Sequence, residues 1–226
     1  MLVDRLHLDG IAVVLDVVYN HTGVMSTLES VAPGYYHRQM NNGKFWNGSG
    51  TGNEVHSEAP MARKMIIDSC CYWVNEYGVD GFRFDLMGLV DLETMKQLRA
   101  ALNQIRPGLL LYGEPWTGGH SGLAHITTKH SVAGTVIGAF NDDYRNALKG
   151  EPEGGHMGYV QNGSERDKVI QGLQGSIFSW AREPIETINY ATCHDNLTLW
   201  DKLDFSIGRV GIEELKKMHL LTLSIL

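Results

Sequence analysis

The sequence predicts an α/β protein: part of a (β/α)8 TIM barrel in which parallel strands alternate with helices. Three observations carry this. Residues 10–18, Gly-Ile-Ala-Val-Val-Leu-Asp-Val-Val, hold no polar side chain before Asp16, the mark of a parallel strand covered on both faces. Two helical stretches, 60–77 and 92–106, each run into a short strand, at 81–85 and 109–113. Strand and helix alternating in this rhythm build right-handed βαβ units on a parallel sheet.

Taken in order, the chain opens in the tail of a helix at residues 2–7, followed by the apolar strand at 10–18. Residues 19–59 form a long connection rich in Gly, Asn and aromatics, and a loop of that length is usually functional or disordered. The helix at 60–77 has Pro60 in its first turn, Gly78 at its end, and Ile66, Cys70, Trp73, Val74 and Tyr77 on one face. The helix at 92–106 carries Met95, Leu98, Leu102 and Ile105 as its stripe, Asp91 as N-cap and Pro107-Gly108 as its stop. Residues 136–140 and 187–192 read as two further strands, with a second long loop at 150–175. A final stripe of Ile212, Leu215, Met218 and Leu221 marks a helix over 212–226. Five strands do not close an eight-stranded barrel, so the whole stretch 1–226 reads as one partial catalytic barrel, incomplete at both ends, from a larger enzyme.

Composition narrows the function classes. A 43% hydrophobic chain of this length can bury one sizeable core. The net charge of -7 is spread without a Lys/Arg cluster, which argues against nucleic acid as a partner. No apolar run reaches a membrane span, and the charged, amphipathic start does not read as a signal peptide. Localisation stays open between cytoplasm and secretion. Cys70, Cys71 and Cys193 are odd in number and badly placed for a disulfide framework, so they read as free thiols.

Chemistry concentrates at four places, each at the end of a predicted strand, where barrel enzymes keep their catalytic groups. These are Asp16 to His21, Arg83 with Asp85, Glu114 to Trp116, and His194-Asp195-Asn196. Side chains alternate along a strand, so Arg83 and Asp85 point the same way. A guanidinium beside a carboxylate favours its ionised form, as a nucleophile requires. Asp85 and Glu114 stand 29 residues apart, about one βα unit, and should close successive strands.

At these four points the sequence resembles glycoside hydrolase family 13, the α-amylase family, whose conserved regions end barrel strands three, four, five and seven. GFRFDLMG around Asp85, GEPW ending at Trp116, and the stretch from Ile188 to Asp201 are most similar to type I pullulanases. The stretches GNEV at 52–55 and GAFND at 138–142 agree as well. The resemblance implies barrel strands three to seven, with long loops after strands three and six. It also implies a retaining glycosidase that hydrolyses α-1,6 branch linkages in pullulan, amylopectin and related α-glucans. In that reading Asp85 is the nucleophile, Glu114 the general acid/base, and Asp195 the carboxylate that steadies the transition state. His21 and His194 would hydrogen-bond the sugar, Arg83 would keep Asp85 ionised, Trp116 would stack on a glucose ring, and Asp16 and Asn20 would act as scaffold. A wall such as Trp116, or nearby carboxylates, would keep a proton on Glu114.

Other readings stay open at this point. Linkage preference within the family extends to α-1,4-acting amylases and other debranching enzymes. A catalytically inert glucan-binding remnant of the barrel is a different class, against which the intact acidic set argues. A metal-dependent hydrolase would want histidines closely spaced on one strand, whereas His21 and His194 sit beside Asn20 and Asp195. No metal or redox cofactor is implied. Glu54 could bind calcium or cap the helix at Pro60, Asp80 reads as a turn residue, and Asp142 and Asp143 as helix caps or substrate contacts. Tyr35, Tyr36, Phe45 and Trp46 suit either a glucan groove or surface packing.

Overall fold

The computed structural model describes residues 2–208 and 210–226. It is an α/β fold with five strands in sheet order β1 (Val14–Val17), β2 (Gly81–Phe84), β3 (Leu110–Gly113), β4 (Gly138–Phe140) and β5 (Thr187–Ile188). The chain divides into two compact units, Met1–Ala139 and Phe140–Leu226.

In the first unit, α1 (Leu2–Leu8) leads through a turn at Gly10, whose φ of 75° suits glycine, into β1. β1, β2, β3 and the start of β4 pair in parallel, with Asp16 opposite Arg83, Arg83 opposite Tyr112 and Gly113 opposite Ala139. α2 (Ser26–Val31) lies inside the connection read as loop, which also holds two isolated antiparallel bridges, His37 with Val55 and Gln39 with Phe45. α3 (Pro60–Tyr77) begins at its proline and ends on left-handed Gly78, burying Ala62, Ile66, Cys70 and Val74. α4 (Leu92–Ile105) starts where Asp91 accepts a hydrogen bond from the Thr94 N–H, and buries Met95, Leu98 and Leu102. β2 is buried along its whole length, and Phe82 and Phe84 complete this core. A short α5 (Lys129–Val132) precedes β4.

The second unit holds α6 (Asp142–Lys149), α7 (Tyr159–Asn162), α8 (Arg166–Leu173), α9 (Leu199–Ile207) and α10 (Ile212–Ile225). Their core gathers Tyr144, Leu148, Val160, Val169, Leu199, Leu203 and Leu215.

Several expectations need correction. β1 is four residues long, and it is not covered on both faces: Asp16 is exposed and Ile11 is 52% exposed. Hydrophobicity alone could not show that the run begins as a turn before the sheet. Residues 150–175 are no structureless loop, because Val160 and Val169 give α7 and α8 an apolar anchor. The strand expected over 187–192 stops after two residues. There the Asn189 amide donates to the Gly172 carbonyl and accepts from Asn141, and the Tyr190 hydroxyl takes Arg145, so side chains claim a segment that would otherwise continue as strand. Val136, expected in β4, has φ 59° and lies before it. Of the final stripe only Leu215 is fully buried, with Met218 packed beside it and Ile212 and Leu221 exposed.

Candidate active site

β2 positions the centre of the site. Its parallel register sets Phe84 opposite Gly113 and opposite Val17, so the next residues, Asp85 and Glu114, leave adjacent strand ends. Neighbouring strands lie about 4.8 Å apart, which sets the two carboxylates within reach of one group. The ladder extends one step further: the Asp85 N–H donates to the Val17 carbonyl and the Glu114 N–H to that of Phe84, each at 3.0 Å.

The group both carboxylates share is Arg83. Its Nη1 donates to Asp16 Oδ1 at 2.8 Å and to Asp85 Oδ1 at 2.9 Å, while its Nη2 reaches Glu114 Oε1 at 2.6 Å. Arg83 and Glu114 are both buried. Burial by itself would lower the guanidinium's pKa, but the charge of Glu114 and the hydrogen bonds to Asp85 and Asp16 raise it above its ordinary value. One cation therefore faces three carboxylates. Sequence reasoning assigned Arg83 to Asp85; the geometry divides it between Asp85 and Glu114.

Each carboxylate has a second holder. Asn20 Nδ2 donates to Asp85 Oδ2 at 2.9 Å and to the Asp85 carbonyl at 2.8 Å, and its Oδ1 lies 2.6 Å from His21 Nδ1. Glu114 Oε2 accepts the Leu86 N–H at 2.8 Å. That N–H is aimed by a left-handed backbone at Leu86, φ 38°, which is strained for a leucine; non-glycine residues held in this region cluster at functional sites. Gly88 lets the Glu114–Trp116 segment lie against the turn, since a Cβ there would stand 2.3 Å from the Trp116 carbonyl oxygen. Trp116 itself is half-buried.

Tyr112 was missed by sequence reasoning. It faces Arg83 in the register and precedes Glu114 by two residues, the spacing that puts both on one face of β3. Burial raises its phenol's pKa, opposed by the Arg83 charge. The i, i+2 signal that linked Arg83 to Asp85 was present here too.

His194 and Asp195 belong to the second unit. They lie on the irregular segment after β5, both exposed, with His194 Nε2 and Asp195 Oδ1 3.7 Å apart and the Asp195 N–H directed at Cys193 Sγ at 3.5 Å. Asn196 follows with φ 62°. In the same unit Asn141 caps α6 by accepting from the Tyr144 N–H, so Asp142 and Asp143 occupy its first turn and are not the cap.

Four residues take roles beyond those expected. Glu54 is fully buried and accepts from Gly48 N–H, Gly122 N–H, the Ser121 hydroxyl and Arg38, tying the 19–59 connection to the segment after Glu114; the N-cap of α3 is Ala59. Asp80 is more than a turn residue, because its carboxylate joins the Val13 N–H, His7 and Arg106. Tyr35 and Tyr36, half-buried, pack on Val55, Ala59 and Ala62, with the Tyr35 hydroxyl accepting from the Met61 N–H, so they join a local core. Among the described residues no three His, Cys, Asp or Glu side chains gather as metal ligands, and no helix is long and apolar enough to cross a membrane.

No family model matches the chain. It is 39% identical over 223 residues to the pullulanase of Bacillus subtilis, a match covering 91% of this chain and 30% of that protein. The match is to pullulanases. The pullulanase structure from Bacillus acidopullulyticus superimposes with a TM-score of 0.96 at 45% identity, covering 99% of this chain and 28% of that one. A Paenibacillus barengoltzii pullulanase, solved in complex with maltohexaose and alpha-cyclodextrin, gives 0.93 at 39% identity over 99% of this chain and 36% of its own. Likeness of this degree over nine-tenths of a chain is homology with a segment of pullulanases. The chain spans about a third of the length of these relatives.

Proposed function

We propose that this chain is the part of a family 13 catalytic barrel, strands three to seven, that carries the reaction centre of an α-1,6 debranching glycoside hydrolase. The observation that carries the reading is the shared guanidinium: two carboxylates leaving adjacent strands converge on Arg83, within a chain similar to pullulanases from end to end. A retaining glycosidase needs two carboxyls roughly 5 to 5.5 Å apart, a separation that neighbouring strand ends can supply.

In the proposed reaction Asp85, held by Arg83 and Asn20, attacks the anomeric carbon of the branch and forms a covalent glycosyl-enzyme. Glu114 protonates the departing oxygen and then takes a proton from the water that releases the sugar. Arg83 and the Leu86 N–H each donate to one Glu114 oxygen, which orients the carboxyl, and because each oxygen carries two lone pairs neither contact blocks the proton it transfers. Asp195 opposes the positive charge developing on the ring. His21 and His194 donate to sugar hydroxyls, Trp116 stacks on a glucose ring, and Asp16 and Asn20 hold the cluster. The substrate is an α-glucan, and a complex of a homologous pullulanase with maltohexaose supports that class.

Product analysis of the full-length protein on pullulan tests this. Maltotriose is expected, from α-1,6 cleavage. Panose or isopanose would assign α-1,4 cleavage instead, and no product at all would favour an inert glucan-binding barrel.

A further inference from the structure

In the 19–59 connection Tyr35 and Tyr36 pack into a local core, and Trp46 stands apart from them. Its indole rests on Gly122, where an added Cβ would come within 2.4 Å of the ring, and the His120 ring meets it edge-on with centroids 5.4 Å apart. The ring is thus held in a fixed orientation but only half-buried. It lines a shallow cavity of about 350 Å³ with Gln39, Met40, Asn41 and Asn42. That wall is shaped by a tight turn, in which the Met40 N–H donates to the Lys44 carbonyl and the Gly43 N–H to that of Met40.

The polar groups of this cavity have spare capacity. Asn42 Oδ1 accepts from the Lys44 N–H, which leaves its amide N–H₂ unused, and the side chains of Gln39 and Asn41 make no hydrogen bond among the described residues. A fixed aromatic face with free amides beside it matches a pyranose ring, which presents an apolar face of C–H groups and a rim of hydroxyls. The turn lies on the same side as the strand ends, because Ser49 and Asn47 pack their carbonyls against Gly118 and Gly119, a few residues after Glu114.

We infer that Trp46, with Gln39, Asn41 and Asn42, forms an accessory binding site for one glucose unit of an α-glucan, outside the carboxylate cluster. The choice of α-glucan rests on the proposed function; the saccharide-binding chemistry does not.

Maltohexaose is the probe, and its binding is measured calorimetrically at low temperature with the recovered sugar checked for cleavage, so that the readout does not depend on linkage preference. The full-length protein and its Trp46→Ala, Trp46→Phe and Asn41→Ala variants are compared. Trp46→Ala is expected to weaken one class of sites roughly five- to tenfold, Trp46→Phe to restore most of the loss, and Asn41→Ala, at an exposed residue without protein partners, to weaken it about threefold at unchanged melting temperature. The kcat on a short branched dextrin should not move. Unaltered maltohexaose affinity in both Trp46→Ala and Asn41→Ala overturns the site. Should pullulan analysis refute α-1,6 cleavage while these affinities still fall, the functional reading fails and the saccharide site stands.

Discussion

Asp80 and Asp85 lie five residues apart at opposite ends of β2, and each anchors a charged cluster, yet the two clusters are built on opposite balances. At the end before the strand, one carboxylate gathers a backbone N–H from Val13, the His7 ring and the Arg106 guanidinium. Donors outnumber the acceptor, and the cluster bolts α1, the entry to β1 and the end of α4 together. At the end after the strand, one guanidinium serves Asp16, Asp85 and Glu114. Here carboxylates outnumber the cation, and a structure seeking only stability would not collect three anions around one charge. The balance of charge therefore sets the two ends of β2 apart, and under the proposed function the end with excess carboxylate is the one that reacts, as in barrels that keep catalysis at the strands' C-terminal ends.

Substitutions at both ends break or sharpen this contrast. The largest effect is expected for Asp85→Asn. It leaves the amide able to pair with Asn20 but removes the proposed nucleophile, so kcat on pullulan should fall by about three orders of magnitude or more while the melting temperature stays within a few degrees. Wild-type turnover in that variant would remove Asp85 from the chemistry. Arg83→Lys comes next: an ammonium keeps the charge but lacks the fork that reaches Asp16, Asp85 and Glu114 together. The expected loss is roughly 10- to 100-fold in kcat with KM little changed. A purely structural Arg83 would instead lower the melting temperature and leave the kcat of the folded fraction intact.

Asp80→Asn should give the smallest effect, and on stability alone. Burial raises the Asp80 pKa, but the Val13 N–H, His7 and the Arg106 charge together hold it below the usual carboxylate range. A group depressed on folding stabilises the protein fully above its unfolded pKa of about 3.9, and that contribution is lost as pH falls through the folded value. The asparagine variant should be less stable by about 1–2 kcal/mol at neutral pH, and its stability should fall less steeply on acidification below pH about 4. Thermal melts across pH 3 to 7 measure this. Equal acid sensitivity in variant and wild type would mean that Asp80 bolts nothing.

Much of the cluster after β2 was legible in the sequence. The i, i+2 spacing of Arg83 and Asp85 put them on one face, and one βα unit between Asp85 and Glu114 put them on neighbouring strands. What escaped were contacts between segments that the pattern treats separately. Glu54 lies 68 residues from Gly122, and nothing local in GNEV says that its carboxylate will accept that N–H. Tyr35, Tyr36 and Trp46 read alike as loop aromatics, and only the packing of the first two on Val55 and Ala62 and of the third on Gly122 tells them apart.

Taken alone, the sequence determined the order of the five strands, the α3 and α4 boundaries to within a residue, and the residues that leave β1, β2 and β3 at one end. Side-chain alternation, proline, left-handed glycine and the Asp91 cap act within a few residues, so the chain writes them locally. Tertiary structure alone decided that a single Arg83 serves carboxylates 2, 31 and 67 residues away, that Leu86 bends to aim its N–H at Glu114, and that β5 ends after two residues. Such choices depend on which donors and acceptors meet once the core closes, because a buried charge must be satisfied by whatever lies nearest in space, however distant in the chain.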